Sequence, residues 1–246
     1  MEQRKLYRTL ENAIKEFPHL ENERKMLTYV LEQIINNENI DITGGRVWQL
    51  NESKTTYKMI EQRGEIQKID KGYSLKLTEY PNFYLVGKNR TVIAKETDVY
   101  LKKLGINLYS ATGVGEKYKL KDNNGNDQLV YQYILAFNSS QLNENLLNTL
   151  NIISTAVSSM IRSRKIETKA RAIEKELVKA REIQKSILPE HEYIFGNYEI
   201  FGISIPDKIV GGDFFDYISF GNESDRLGIA IGDAASKGFS AAAQAL

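Results

Sequence analysis

The sequence contains no cysteine. Without thiols the protein has no disulfide bonds, thiolate metal sites or cysteine-based catalysis, and their absence fits a cytoplasmic protein. The first residues, Met1 to Leu6, contain no apolar segment that could serve as a signal peptide. No apolar run approaches the roughly 18 residues of a membrane-spanning helix. We therefore expect a cytoplasmic protein with no membrane partner.

The charged residues are balanced in sign. The chain has 33 Lys and Arg residues against 32 Asp and Glu residues, a formal charge of +1. There is no overall basic field of the kind that binds nucleic acid or anionic lipid, so no nucleic-acid partner is expected. At 246 residues the chain is long enough for one large domain or two ordinary ones.

Apolar residues at helical spacing predict two helices at the start of the chain. The first covers about residues 3–17 of an N-terminal segment, residues 1–21, and ends at Pro18. The second covers roughly Glu21 to Asn36. The apolar positions of the first helix are Leu6, Leu10, Ile14 and Phe17, and those of the second are Leu27, Val30, Leu31, Ile34 and Ile35.

In the middle of the chain the apolar period changes towards two, which predicts strands. Residues 46–50 and 56–60 are expected to pair around a turn, as are residues 116–120 and 128–137. A long helix follows from near Gln141. Shorter strands are predicted at residues 84–86 and 91–94, and the apolar stripe of the long helix is Leu146, Leu147, Leu150, Ile153, Val157, Met160 and Ile161.

This order of elements resembles a GAF domain over about residues 22–163. The GAF family comprises small-molecule and signal sensors, and a PAS-type sensor is the alternative. The resemblance implies an antiparallel sheet with flanking helices and a site for a small-molecule or protein signal. Tyrosines of this region could line a ligand pocket, although aromatic residues in a β-rich core more often serve packing. The sequence does not identify the ligand.

Residues 164–189 have the pattern of a coiled-coil linker helix. Seven positions are spaced alternately by four and three, and charged residues lie between them. Because the seam contains two alanines and a glutamine, we expect a homodimer of marginal stability, in which Gln184 fixes the register. A single amphipathic helix packed on its own domain is the alternative. The seam positions are Ile166, Ala170, Ile173, Leu177, Ala180, Gln184 and Ile187.

Strand patterns return after Pro189. Taking Glu223 as the midpoint of the last hairpin places Asp213 directly opposite Asp233, with Cβ atoms about 5 Å apart. Two opposed carboxylates are unfavourable unless a cation neutralises them, and oxygen ligands select hard ions such as Mg²⁺ or Mn²⁺. Strand-end aspartates that cap turns are the alternative. The predicted strands are 198–205, 212–220 and 226–231, with a turn at 221–225.

Glycines stand beside both aspartates. Gly211, Gly212 and Gly232 would weaken strands, so their positions predict a close approach of the backbone to another group. Asp216 lies three residues from Asp213 and is expected to point to the opposite face. It would then support the ligands indirectly or be structural.

From about Ala180 the chain resembles the bacterial PP2C-like (PPM-type) serine/threonine phosphatases of the SpoIIE and RsbU type. Three segments carry the resemblance: residues 180–189, residues 210–216 and residues 231–238. It implies that Asp213 and Asp233 bind two Mn²⁺ or Mg²⁺ ions together with the backbone carbonyl of Ala234. It also implies that a metal-bound water attacks the phosphorus, so that no side chain need become phosphorylated. The remaining motif residues with a supporting role are Gly212, Asp216, Gly232, Lys237 and Gly238.

The chain departs from this family in two respects. Ala235 and Ser236 replace the usual serine and glycine of the motif. The further metal-binding aspartates of the family lie downstream of Leu246, so the chain alone is expected to be inactive, with a poorly ordered or partner-stabilised C-terminal region.

The expected fold class is α+β. It combines a GAF-like sensor domain, the linker helix and, over residues 190–246, the first strands of a PP2C-like α/β/β/α sandwich. The predicted function is a sensor-regulated, metal-dependent protein serine/threonine phosphatase acting on a phosphoprotein of bacterial partner-switching signalling. A dimeric sensor or scaffold without catalysis is the alternative.

Overall fold

A computed structural model describes most of the chain, and the part of the first predicted helix that carries Leu6, Leu10 and Ile14 lies outside the described residues. The chain divides into two compact units, Met1–Lys165 and Ile166–Leu246. The described residues are 15–37, 42–122, 124–138, 144–206, 209–221 and 225–233.

The first unit is built on a six-stranded sheet. The strands follow the order β3-β2-β1-β6-β5-β4, and every neighbouring pair is antiparallel. The predicted hairpins are confirmed, because β1 pairs with β2 and β5 with β6. The strands are β1 Gly44–Leu50, β2 Thr56–Gly64, β3 Ser74–Lys76, β4 Thr91–Lys95, β5 Leu108–Lys121 and β6 Asp127–Asn138.

Two helices cover one face of this sheet. Helix α1, Glu23–Ile35, begins where the Asn22 side chain accepts a hydrogen bond from the Lys25 amide. The first half of a long helix lies beside it and presents the predicted apolar stripe. Their buried residues form one core with the sheet: Leu27, Val30, Leu31 and Ile34 from α1, Leu150, Ile153, Val157 and Ile161 from the long helix, and Val47, Leu135 and Phe137 from the strands.

The opposite face carries two short helices, α2 at Asn82–Asn89 and α3 at Val99–Lys103. The strand predicted at residues 84–86 is therefore wrong. Phe83 and Val86 are both buried and lie three residues apart, as on one face of a helix. The prediction was based on three consecutive apolar residues, which is too short a run to distinguish a helix from a strand. A Cβ atom on Gly87 would lie 1.5 Å from the carbonyl oxygen of Leu129, so glycine allows α2 to approach β6 closely.

The long helix, α4, runs from Glu144 to Ile187 and so passes from the first unit into the second. The second unit then forms two hairpins, each a two-stranded antiparallel sheet. No helix among the described residues is both long enough and apolar enough to cross a membrane. The strands of the hairpins are β7 Glu192–Phe195, β8 Tyr198–Phe201, β9 Asp213–Ser219 and β10 Leu227–Asp233.

Candidate ligand cavity and aspartate pair

A cavity of about 40 Å³ lies in the first unit, between the sheet and the layer that contains α2 and α3. This volume is the space open to the centres of water-sized groups, so the cavity can admit a small molecule. Its walls are mostly apolar and include Trp48 and Phe83. The polar residues that line it are Arg46, Tyr80, Asn82, Glu96, Tyr109 and Asn138.

Arg46 places a buried cation in this wall. The residue is only 3% exposed. Its Nη1 donates to the Asn138 Oδ1 at 3.0 Å, and its Nη2 donates to the backbone carbonyl of Gln67. Its Nε has no hydrogen-bond partner. Burial lowers the pKa of Arg46 to about 10, while the charge of Glu96 acts in the opposite direction.

Glu96 places a buried anion in the same wall and is 4% exposed. Its Oε1 accepts the backbone N–H groups of Thr97 at 2.7 Å and Asp98 at 2.8 Å. Its Oε2 accepts the Tyr80 hydroxyl at 3.0 Å, and that hydroxyl lies 3.1 Å from the Tyr109 hydroxyl. Burial raises the pKa of Tyr109 to about 12. The carboxylate is therefore held in place by backbone and hydroxyl donors together.

The loop between β2 and β3 borders the cavity through Ile69. The Gln62 side chain binds the backbone of Ile69 through two hydrogen bonds, of 3.0 and 3.1 Å. Asn138 Nδ2 donates a hydrogen bond to Gln67 Oε1 at 3.0 Å. The backbone carbonyl of Gln67 also accepts the hydrogen bond from Arg46 Nη2. The same polar groups thus hold the loop and orient the arginine.

Arg46 and Glu96 were not among the predicted site residues. Tyrosines of this region were predicted either to line a ligand pocket or to pack in the core. Tyr80 and Tyr109 do both. One signal was present in the sequence. Arg46 has the same strand parity as Trp48, which is buried, so it falls on a core-facing position of β1.

The second unit carries the predicted aspartate pair. Strands β9 and β10 pair in the predicted register, with Asp213 opposite Asp233. Both residues are exposed. Among the described residues no group of three or more His, Cys, Asp or Glu side chains is arranged to hold a metal ion. The predicted contributors Ala234, Lys237 and Gly238 lie outside the described residues, so metal binding stays a prediction.

The structure shows what approaches the glycines of this hairpin. A Cβ atom on Gly232 would lie 2.2 Å from the Phe214 ring, the side chain directly opposite it. Gly211 lies against Pro206, where an added Cβ would meet the ring at 3.0 Å. Gly212 directly precedes β9. The predicted close approach at Gly232 is thus made by an aromatic ring, and this glycine gives no support to a metal site.

Asp216 lies on β9 opposite Ala230. Its Oδ1 accepts the backbone N–H of Tyr217 at 2.8 Å, a local bond that fits the structural alternative for this residue.

Gln184, from the predicted seam of α4, is bound within its own chain. It is 8% exposed, its Nε2 donates to the Gly211 carbonyl at 2.6 Å, and its Oε1 accepts the Gly211 N–H at 3.3 Å. Leu177 and Ala180 are half-buried. The remaining seam positions, Ile166, Ala170, Ile173 and Ile187, are exposed.

No protein-family model matches the chain, and no curated protein matches it. Solved structures of GAF domains are similar to it. One is the GAF domain of an Acinetobacter phosphoenolpyruvate-protein phosphotransferase, 15% identical, covering 67% of this chain and 98% of that chain with a TM-score of 0.45. A GAF domain from A. aeolicus in an inactive state is 14% identical, covering 67% and 99% with a TM-score of 0.46. The phycoerythrobilin-bound GAF domain of a cyanobacterial phytochrome is 8% identical, covering 68% and 99% with a TM-score of 0.49. The antiparallel sheet with flanking helices that the resemblance predicts is present in the first unit.

Proposed function

We propose that the first unit senses a small molecule and that α4 passes the signal to a PP2C-like phosphatase region that begins in the second unit. The observation that carries the sensor is the cavity with Arg46 and Glu96 in its wall. Burying a charge costs several kcal/mol unless it is paired and hydrogen-bonded. A mostly apolar cavity with a few fixed polar groups in its wall is typical of a small-molecule site, where such groups serve recognition.

The test of the sensor is thermal unfolding with a library of small metabolites. A compound present at 100 times its Kd stabilises its target by about 2.7 kcal/mol. We expect at least one compound to raise the unfolding midpoint of the wild-type chain and to lose this effect in Ala111→Leu, which fills the cavity wall. Ala170→Leu makes the same change at an exposed position of α4 and should respond like the wild type. If no compound acts, the sensor proposal fails.

The opposed carboxylates of Asp213 and Asp233 support a phosphatase output. They supply oxygen donors alone, which suit Mn²⁺ or Mg²⁺, and the backbone carbonyl of Ala234 would join them. When bound, a pair of such ions would supply an activated water for attack on a phosphoserine or phosphothreonine. In the described part of the chain the two aspartates are only part of the ligands that two ions need.

The phosphatase is tested by Mn²⁺-dependent hydrolysis of a phosphothreonine peptide. Mn²⁺-dependent activity is expected of a phosphatase region that carries its further metal ligands. Asp213→Asn should lower that activity at least 100-fold, because it removes a metal ligand, while Asp216→Asn should change it little. If such a protein shows no Mn²⁺-dependent hydrolysis, with or without Asp213→Asn, a sensor or scaffold without catalysis is favoured.

The exposed apolar positions of α4 favour a homodimer in either case. Ile173 is 58% exposed, and Ile166 and Ile187 are exposed as well. Sedimentation velocity should show self-association of the wild-type chain that Ile173→Lys weakens, because a lysine in the seam would be buried without a partner. Glu174→Lys adds the same side chain beside the seam and is the matched control. If the three proteins associate equally, the coiled-coil prediction is wrong and α4 acts as a single helix.

A further inference from the structure

The Arg46 guanidinium belongs to a residue that lines the cavity, and the protein uses only part of its hydrogen-bonding capacity. Arg46 is 3% exposed, and two of its guanidinium nitrogens are bound by Asn138 and Gln67. Only its Nε lacks a partner. A guanidinium has five N–H donors and these two bonds use two of them, so a molecule in this space gains by presenting an acceptor atom to the Arg46 guanidinium.

The acidic wall has room for a donor. A carboxylate offers about four acceptor sites, and three donors reach Glu96: the Thr97 and Asp98 amides and the Tyr80 hydroxyl. One site on Oε2 is left. The Tyr109 hydroxyl lies 3.1 Å from that of Tyr80 and adds a second hydroxyl to this wall.

The charges of the cavity already cancel. Arg46 carries one positive charge and Glu96 one negative charge, and both line the same space. A ligand with net charge would leave one buried charge uncompensated, which is unfavourable. A ligand without net charge avoids that cost. The volume of about 40 Å³ limits it to a small molecule, with an apolar part against Trp48 or Phe83.

We propose that the cavity binds a small dipolar molecule without net charge, whose acceptor oxygen receives an N–H of the Arg46 guanidinium and whose donor group reaches Glu96. This chemistry is shared by short α-amino acids in their zwitterionic form and by small primary amides. The proposal rests on the sensor function proposed above and names the ligand class of that site.

Four probes of similar size test it on the whole chain by calorimetry and thermal unfolding at neutral pH. They are L-alanine as the zwitterion, propionamide as the amide, propionate as the anion and propylammonium as the cation. We expect alanine, propionamide or both to bind the wild-type protein, with propionate and propylammonium at least tenfold weaker. The first two probes distinguish the zwitterion from the amide.

Two substitutions test the assigned groups. Glu96→Gln leaves Arg46 as the only charge, so the preference should reverse towards propionate, a result that mere destabilisation would not produce. Arg46→Lys keeps the charge but removes the guanidinium and its planar set of N–H donors, and it should weaken the preferred probe at least tenfold. Glu52→Gln makes the matched change at an exposed position and should behave like the wild type.

The outcomes separate the two proposals. If propionate or propylammonium binds the wild-type chain best, the dipolar class is wrong while the sensor stands. If none of the four probes binds, the dipolar class is again wrong, and the metabolite library decides whether the cavity senses anything. Unchanged selectivity in Glu96→Gln would also overturn the assignment of Glu96.

Discussion

Asp213 and Asp233 lie directly opposite each other on β9 and β10, so two like charges occupy one position of a hairpin. Such a pair destabilises a sheet by roughly 0.2–1 kcal/mol. Without metal, in EDTA, Asp213→Asn should therefore stabilise the second unit slightly. With MnCl₂ the order should reverse, because only the wild type retains both carboxylates. Thermal unfolding in the two buffers measures the change of sign.

Asp216→Asn is the control for this prediction, since Asp216 lies opposite Ala230 on the same strand. It should follow the wild type in both buffers. Equal stabilisation of Asp213→Asn and the wild type by Mn²⁺ would show that the pair does not bind the ion.

Gln184→Ala should release the backbone before β9. The substitution removes both hydrogen bonds to Gly211 and leaves its N–H and carbonyl groups without these partners. The expected loss is about 1–3 kcal/mol. Hydrogen exchange should show faster exchange of the Gly211 amide, whereas Lys185→Ala, on the exposed side of α4, should leave it unchanged. An unchanged rate in Gln184→Ala would contradict the observed contact.

Gly87→Ala should destabilise the first unit by about 3 kcal/mol or more. The added methyl group would lie 1.5 Å from the carbonyl oxygen of Leu129, so α2 would have to move away from β6. Urea unfolding gives the free energy directly. Lys88→Ala, at the next position of the same helix and exposed, should stay within about 0.5 kcal/mol of the wild type. Similar values for the two variants would argue against the close approach.

Tyr109 should make stability depend on alkaline pH. Burial raises its pKa from 10.0 to about 12, so the unfolded chain loses this proton first. The contribution is full below pH 10 and is lost as the pH rises to about 12, at about 1.4 kcal/mol per pH unit. Tyr109→Phe should make the fall of unfolding free energy over this range less steep by that amount. Tyr198→Phe, at an exposed position, should keep the wild-type slope, and an equal slope in Tyr109→Phe would contradict the shift.

The hairpin register could be predicted because one short turn joins its strands. A single midpoint fixes all pairs from Ser219 and Leu227 to Asp213 and Asp233, and the pairing runs without a shift. The hairpin of β1 and β2 would have misled the same arithmetic, since its register shifts between Val47 and Trp48. A bulge of this kind depends on packing that the sequence does not show.

The cavity could not be predicted from the sequence. Arg46 and Glu96 are distant in sequence, and each by itself resembles an ordinary charged residue in or beside a strand. Both residues line one cavity because α2 and α3 cover this face of the sheet. Part of α2 was predicted as a strand. The aspartate pair was accessible because it depends on local pairing, whereas the charged cavity depends on tertiary packing.

Trp48 is the only tryptophan of the chain, and it lies in the cavity wall. Its ring centroid is 6.4 Å from those of both Phe83 and Tyr73. Indole emission depends on the polarity around the ring, so the intrinsic fluorescence of the protein is a label-free signal from one place. A change of its wavelength on mixing with a small molecule reports the cavity itself, without an introduced dye and without interference from a second indole.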